Sequence, residues 1–149
     1  MRIRDKVKKP QRPVVAYEIL PPREKDGTLN SYAEIISSLL SQTHIDAINI
    51  PEVLDENGRG DRPVENYKRG EPREFGRLLQ DIVGVEAIIN RVVVHESFET
   101  QLRWIEETNK IYEIENMIIV GGESSKVEYP GPSVNDVLKK VSREYNQNG

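Results

Sequence analysis

The sequence contains no cysteine, and this absence excludes several kinds of chemistry at once. Disulfide bonds, thiolate metal ligands, cysteine nucleophiles and thiol redox reactions all need a side chain that the chain does not have. Long apolar runs are also missing, since no stretch approaches the roughly 20 consecutive apolar residues of a membrane-spanning helix. We therefore expect no membrane partner and a cytoplasmic location.

Several motifs of nucleotide-handling and hydrolytic enzymes are missing as well. No predicted strand is followed by the glycine pattern of a Rossmann fingerprint, a P-loop or a nucleophile elbow. The formal net charge is −4, and basic clusters are not interleaved with aromatic residues, so nucleic-acid binding is not expected. His95 and Glu96 are neighbours, and on a strand they would point to opposite faces. We therefore expect no metal site.

What the sequence does have is a hydrophobic pattern that switches repeatedly between strand-like and helix-like segments. The β-rich runs predict strands over 14–20, 45–53, 85–94 and 117–120. Apolar residues at helical spacing predict helices over 31–42 and 72–84, and two more that begin near Ser97 and Ser133. Asn30 or Ser31 is the candidate cap of the first helix. The polar segment 54–70 is predicted to be a loop.

This order of elements predicts an α/β fold with a parallel sheet covered by helices. Four strand–helix units amount to half of a (β/α)8 barrel, which closes with eight strands. We therefore predict a (βα)4 half of a TIM barrel, as a single domain over 1–149 with an N-terminal arm at 1–12. A small open-sheet protein is the alternative. A half-barrel also predicts a homo-oligomer, or a partner chain that completes the barrel.

Glu18 is the most unusual residue of the predicted first strand, because its neighbours there are mostly apolar. Burial would disfavour the charged carboxylate and raise its pKa, which makes a general acid usable near neutral pH. The alternative is a glutamate at a strand end that points to water or pairs with Arg23 or Arg91.

The later strands also end in polar or glycine residues, at the edge that carries chemistry in parallel α/β folds. The second strand ends at Glu52 and the third at His95. The fourth ends at Gly121 and Gly122, followed by Glu123. A glycine pair permits close approach of a planar ring or a phosphate, although a tight turn explains it equally well.

Two segments resemble motifs of the methylenetetrahydrofolate reductases. Residues 17–23 (YEILPPR) resemble the first-strand signature of that family, in which a glutamate between aromatic residues precedes Pro-Pro and a basic residue. Residues 118–123 (IIVGGE) resemble the end of the family's fourth strand, a hydrophobic run followed by Arg-Gly-Asp or Gly-Gly-Asp. The number of strand–helix units between the two motifs agrees with the family.

The resemblance implies an oxidoreductase of one-carbon metabolism, a flavoprotein that carries FAD in a (β/α)8 barrel. Such an enzyme passes a hydride from a nicotinamide donor to methylenetetrahydrofolate and yields methyltetrahydrofolate. Glu18 would be the general acid, and Glu18, Glu52 and Glu123 would contact the folate. The implied contacts with the cofactor are Arg91, His95, Gly121, Gly122 and Glu123.

The chain also departs from the family pattern at several positions. Ile19 and Leu20 replace aromatic residues, and Ile50-Pro51-Glu52 stands where the family commonly has Thr-Tyr-Gly. Two other interpretations therefore remain open. One is a non-catalytic module that binds a folate or pterin or docks on a methyl-transfer partner. The other is a truncated fragment that is inactive alone.

Overall fold

The computed structural model describes residues 2–53, 68–122, 126 and 128–145. Within them, strands and helices alternate along the chain after a short N-terminal helix, and a single 3-10 turn at Glu24–Asp26 follows the first strand. The elements are α1 (Ile3–Lys8), β1 (Ala16–Glu18), α2 (Leu29–Leu40), β2 (Ala47–Pro51), α3 (Pro72–Val83), β3 (Glu86–Val92), α4 (Phe98–Lys110), β4 (Asn116–Val120) and α5 (Val134–Tyr145).

The four strands form one sheet in the order β1-β2-β3-β4, and every neighbouring pair is parallel. This confirms the predicted α/β class with alternating strands and helices. The register places Glu18 opposite Asn49, and Pro51 opposite Asn90. Because all strands run in the same direction, their carboxyl ends meet at one edge of the sheet.

The two faces of the sheet differ in what covers them. Alternate residues of β2 and β3 are fully buried against α2 and α3, and these are Ile48, Ile50, Ala87 and Ile89. Successive side chains of a strand point to opposite faces, so Asn49 and Asn90 lie on the other face together with Glu18. The side chain of Ile118, opposite Asn90 in β4, is 45% exposed. We call this second side the open face.

Helix ends follow recognisable capping rules, and three of the four predicted helices begin where the pattern places them. Pro72 opens α3 after Glu71, whose carboxylate accepts hydrogen bonds from two main-chain amides, and Gly84 ends it in the left-handed conformation with φ 77°. Ser97 caps α4, and the Ser133 hydroxyl accepts from the Asp136 amide at the start of α5.

The predicted start of the first long helix is wrong by two residues. Thr28 caps α2 by accepting a hydrogen bond from the Ser31 amide, so neither Asn30 nor Ser31 is the cap. Its apolar stripe is also narrower than the pattern indicates, because the side chains of Ile35 and Leu39 are mostly exposed.

The N-terminal arm is partly ordered as α1, which lies at the amino edge of the sheet. Ile3 is buried, and its main-chain amide donates to the Glu86 carboxylate at the start of β3. Asp46, just before β2, holds the arm through Lys6 at 3.0 Å and Arg12 at 2.7 Å. The arm is therefore anchored to the sheet.

Most of the predicted loop over 54–70 lies outside the described residues. Its described end, 68–70, returns to the first connection, where Arg69 forms an antiparallel bridge with Arg23 and donates to the Pro21 carbonyl. In the described part of the chain, no helix has the length and apolar character needed to cross a membrane.

Candidate functional site at the carboxyl edge of the sheet

Glu18 is the last residue of β1 and its side chain is exposed on the open face. One carboxylate oxygen, Oε2, accepts a hydrogen bond of 2.8 Å from the Asn49 amide nitrogen on β2. The expectation of a desolvated carboxyl is wrong for the described residues, because β1 is an edge strand whose three residues are exposed. In the described part of the chain, Arg23 pairs with Asp26, and Arg91 pairs with Glu52 and Glu96.

Asn49 and Asn90 extend this polar region across the open face. Asn49 is only 9% exposed, and Asn90 is half-buried. The side-chain oxygens of both residues are buried and have no hydrogen-bond partner among the described residues. Buried polar atoms normally have partners. Two further buried atoms without a hydrogen-bond partner, on Arg73 and Gln101, lie on the helix side of the sheet.

Arg91 lies on the helix side of the sheet, away from Glu18, and is 6% exposed. Its Nε donates to Gln101 at 2.8 Å and one terminal nitrogen donates to Glu52 at 2.5 Å. The other terminal nitrogen donates to Glu96. Its guanidinium also stacks over the Trp104 ring, 4.7 Å from the centroid. The side chain is thus fully engaged within the protein.

Glu52 joins this cluster from the end of β2. Besides Arg91, it accepts a hydrogen bond of 2.9 Å from the main-chain amide of Val92. The structure therefore brings two of the predicted site residues, Glu52 and Arg91, into direct contact. It places them on the opposite side of the sheet from Glu18, so these three do not converge on one ligand position.

A second arginine extends the cluster around Trp104. The Arg73 guanidinium lies 4.6 Å from the Trp104 ring centroid and 4.8 Å from that of Tyr112. Its Nε donates to Glu71 at 2.6 Å. Burial raises the pKa of the Tyr112 hydroxyl, and the nearby Glu71 carboxylate acts in the same direction. This group ties α3 to α4 by packing and charge.

An open crevice of about 660 Å³ lies on this edge, beside the end of β2. Glu52 borders it, and so do the start of α3 and the connection after β1. The residues that line it include Pro21, Leu29, Pro51, Glu52, Arg69 and Glu71.

His95 and the glycine pair meet the loop that precedes α5. The His95 ring packs edge-on against the Tyr129 ring, with centroids 5.4 Å apart. The same Tyr129 ring lies so close to Gly122 that a Cβ there would overlap with it, whereas Gly121 has room for one. Glu123 lies outside the described residues.

This arrangement bears on the flavin that the family resemblance implies. The close approach that Gly122 permits is taken up by a side chain of the protein itself. A flavin ring does not fit against Gly122 while Tyr129 is in this position. Elsewhere, no cluster of three or more histidine, aspartate or glutamate side chains that could hold a metal ion occurs in the described ranges.

Sequence reasoning missed Asn49 and Asn90 as members of the site. The signal was present, because each is a polar residue inside a predicted apolar strand, at 45–53 and 85–94. Their shared face becomes visible only once the register between β2 and β3 is known. The stacking of Arg91 and Arg73 on Trp104 had no signal in the sequence, since it depends on how α3 and α4 pack.

No protein-family model and no curated protein sequence matches this chain.

Proposed function

We propose that the chain is a methylenetetrahydrofolate reductase-like protein whose sheet forms half of a (β/α)8 barrel and binds a reduced folate at its carboxyl edge. The resemblance of residues 17–23 and 118–123 to that family motivates the proposal. The observation that supports it best is the position of Glu18. This carboxylate ends the first strand, is accessible, and is oriented by the Asn49 amide at 2.8 Å.

Glu18 is the proton donor of the proposed reaction. Opening the five-membered ring of methylenetetrahydrofolate breaks the bond between the methylene carbon and N10, and the proton from Glu18 goes to N10. The remaining iminium at N5 then accepts a hydride and becomes the methyl group of methyltetrahydrofolate. In the family that the chain resembles, FAD supplies this hydride after reduction by a nicotinamide.

Asn49 supports this role by holding one carboxylate oxygen. Its amide nitrogen donates to Oε2 and so fixes the direction of the carboxyl group. General acids contribute only when the proton lies within hydrogen-bond reach of the reacting atom, so orientation is the first requirement.

A second function is favoured by Tyr129. Because its ring lies against Gly122, the chain as described offers no open glycine surface for a flavin there. A cofactor-free module that binds a folate or pterin on the open face, or that docks on a methyl-transfer partner, is consistent with this packing. A fragment that needs a partner chain to complete the barrel and the cofactor site is consistent with it as well.

The test measures two things separately: whether the protein retains flavin, and whether the reduced flavin is reoxidised by methylenetetrahydrofolate. The protein is incubated with FAD, desalted and examined for the flavin band near about 450 nm. The flavin is then reduced without oxygen, methylenetetrahydrofolate is added, and the return of the band is followed. We expect the band to return in the wild type and to stay bleached in Glu18→Gln, because the amide cannot donate the proton.

Equal return of the band in both proteins would contradict the role of Glu18. If no flavin is retained, the same sample is titrated with methyltetrahydrofolate, and binding then identifies the cofactor-free module. Tyr129→Ala serves as the matched variant. If this variant retains flavin and the wild type does not, the Tyr129 ring is what keeps the flavin from binding against Gly122. Absence of both flavin and folate binding would contradict the reductase and the folate-binding module.

A further inference from the structure

A cavity of about 330 Å³ lies at the amino edge of the sheet, where the N-terminal arm meets the start of β2. Its described lining residues include three cations, Lys6, Lys9 and Arg12, and one carboxylate, Asp46. We infer that this cavity binds the phosphate group of a small molecule. Such a site is separate from the carboxyl edge and goes beyond the proposed function.

Asp46 shapes the cavity by holding both ends of one chain segment. Its carboxylate pairs with Lys6 on α1 at 3.0 Å and with Arg12 beyond that helix at 2.7 Å. The segment between these two residues is therefore a loop closed on a single side chain, and Pro10 within it has a fixed φ angle. Lys9 lies in this loop and lines the cavity. A wall that is held in advance loses less conformational freedom when a ligand binds.

The cavity has an excess of positive charge even though Asp46 contributes to its wall. The Asp46 side chain is 1% exposed, and its carboxylate already accepts from Arg12, from Lys6 and from the main-chain amide of Val15. Three cations and one carboxylate leave two positive charges, in a chain whose formal net charge is −4. A phosphate monoester carries about −1.5 to −2 charges at pH 7, so its charge matches this excess.

The three cations also keep N–H donors that their contacts within the described residues do not use. Lys6 uses one of its three donors, on Asp46. Both terminal nitrogens of Arg12 donate, whereas its Nε–H has no partner among the described residues. The Lys9 ammonium has no ion pair with any described residue. Lysine and arginine donors form strong, charge-assisted hydrogen bonds with phosphate oxygens.

The cavity is distant from the candidate site at the carboxyl edge. Asp46 precedes β2 and Glu52 follows it, so about 20 Å of extended strand separates the two ends. The volume is also at the lower end of the range of about 300–1,000 Å³ in which proteins hold small molecules. Both an inorganic phosphate ion and a short phosphate monoester satisfy this limit.

The experiment uses two phosphate compounds as probes, inorganic phosphate and glycerol 3-phosphate. Each is titrated into the ¹⁵N-labelled chain at neutral pH and constant ionic strength, and the backbone amide signals of residues 6–15 are followed. Acetate, an anion with a single charge, is the matched control compound. We expect both phosphates to shift these signals and to bind at least about tenfold more tightly than acetate, because they form additional charge-assisted hydrogen bonds.

The two probes also distinguish the possible sources of the phosphate group. Tighter binding of glycerol 3-phosphate assigns the site to a phosphate monoester. Equal or tighter binding of inorganic phosphate assigns it to the free ion. Either result supports the site.

A pair of neighbouring lysines separates the cavity from the general positive charge of the arm. Lys9→Gln removes a cation that lines the cavity without anchoring the arm, and we expect it to weaken phosphate binding about tenfold. Lys8→Gln is the matched control, because it removes the same charge from an exposed residue that is not among the lining residues. It should bind phosphate like the wild type. Both variants change exposed side chains and should fold.

Equal weakening by the two variants would overturn the inference, because it would show attraction to the basic arm as a whole. Shifts that appear only at the carboxyl edge would overturn it too, and so would acetate binding as tight as phosphate binding, or no binding at all. The proposed function is tested with flavin and methyltetrahydrofolate instead, at the other edge of the sheet. Failure of one inference therefore leaves the other intact.

Discussion

Gly131 shows how closely the loop before α5 lies on the end of β3. A Cβ at this position would come within 2.5 Å of the Glu96 carbonyl oxygen and 2.6 Å of the Val94 carbonyl carbon. The Gly131 amide donates to the Val94 carbonyl at 2.8 Å. These neighbours are main-chain atoms, which cannot move aside as a flexible side chain can. The loop that carries Tyr129 is held in place here.

Replacing Gly131 by alanine should therefore destabilise the fold by about 1–3 kcal/mol, the usual cost of forcing extra atoms into a packed site. Gly121→Ala is the control from the same region, because its Cβ would lie 3.4 Å from Val134, an ordinary contact. Urea denaturation measures both variants. Equal stability of the two would contradict the described course of the loop.

Single residues differ in how far the sequence predicts their role. The sequence predicts that Glu18 belongs to the first strand, but it places this residue inside a run over 14–20, whereas β1 ends at Glu18. The exposure of Glu18 could not be predicted, because exposure depends on β1 being an edge strand. The position of Asn49 on the open face likewise depends on how the strands pair. No local sequence pattern predicts this pairing.

At the scale of secondary-structure elements, the contacts of Arg91 join β2, β3 and α4. Its guanidinium donates to Glu52 after β2, to Glu96 after β3 and to Gln101 on α4, and stacks on Trp104. Removal of this cation would leave the carboxylate of Glu52, whose side chain is 12% exposed, without its ion-pair partner. The cluster therefore contributes to stability as a unit.

Arg91→Ala should destabilise the fold by about 3–5 kcal/mol, since loss of one partner of a buried pair leaves an uncompensated charge. Arg91→Lys should restore only part of this, because lysine lacks the planar fork and the stacking surface. Arg103→Ala, exposed on α4, is the control and should change little. Thermal and urea unfolding measure these differences. An Arg91→Ala variant as stable as the wild type would contradict the stabilising role of the cluster.

The attachment of α1 depends on Asp46 and should make stability depend on pH. Arg12, the Val15 amide and Lys6 hold the pKa of the Asp46 carboxyl well below its usual range. A lowered folded-state pKa stabilises the protein above the unfolded value of about 3.9, and this stabilisation is lost as the pH falls further.

We therefore expect the free energy of unfolding to fall between about pH 5 and pH 2, more steeply in the wild type than in Asp46→Asn. Urea titrations at a series of pH values give the comparison. Asp5→Asn, an exposed aspartate on α1, is the matched control and should follow the wild type. Parallel curves for the wild type and Asp46→Asn would contradict the anchoring role.

The elements themselves are predictable where a local signal marks their ends. Glu71 with Pro72, Gly84, Ser97 and Ser133 act through contacts within one helical turn, so the sequence contains them. The N-terminal helix was missed because its stability depends on the distant Asp46 and Glu86. Contacts between residues 40 or more positions apart produce no periodic pattern in the sequence.

For the whole molecule, the alternation of strands and helices predicts the parallel sheet, and the structure confirms it. The closure of that sheet into a barrel remains a proposal, and so does the ligand at its carboxyl edge. Both concern the open face, which carries Glu18, Asn49 and Asn90. Polar acceptors at this edge and the anchored arm at the opposite edge give the sheet two chemically different ends.

The most direct measurement is a map of where methyltetrahydrofolate acts on the chain, from backbone and side-chain signals of the ¹⁵N-labelled protein. We predict that the shifts concentrate at the carboxyl edge, at Glu18, Asn49, Asn90 and Gly122. Shifts that concentrate instead at the amino edge, around Lys6, Arg12 and Asp46, would contradict the account, and so would a spectrum that does not change.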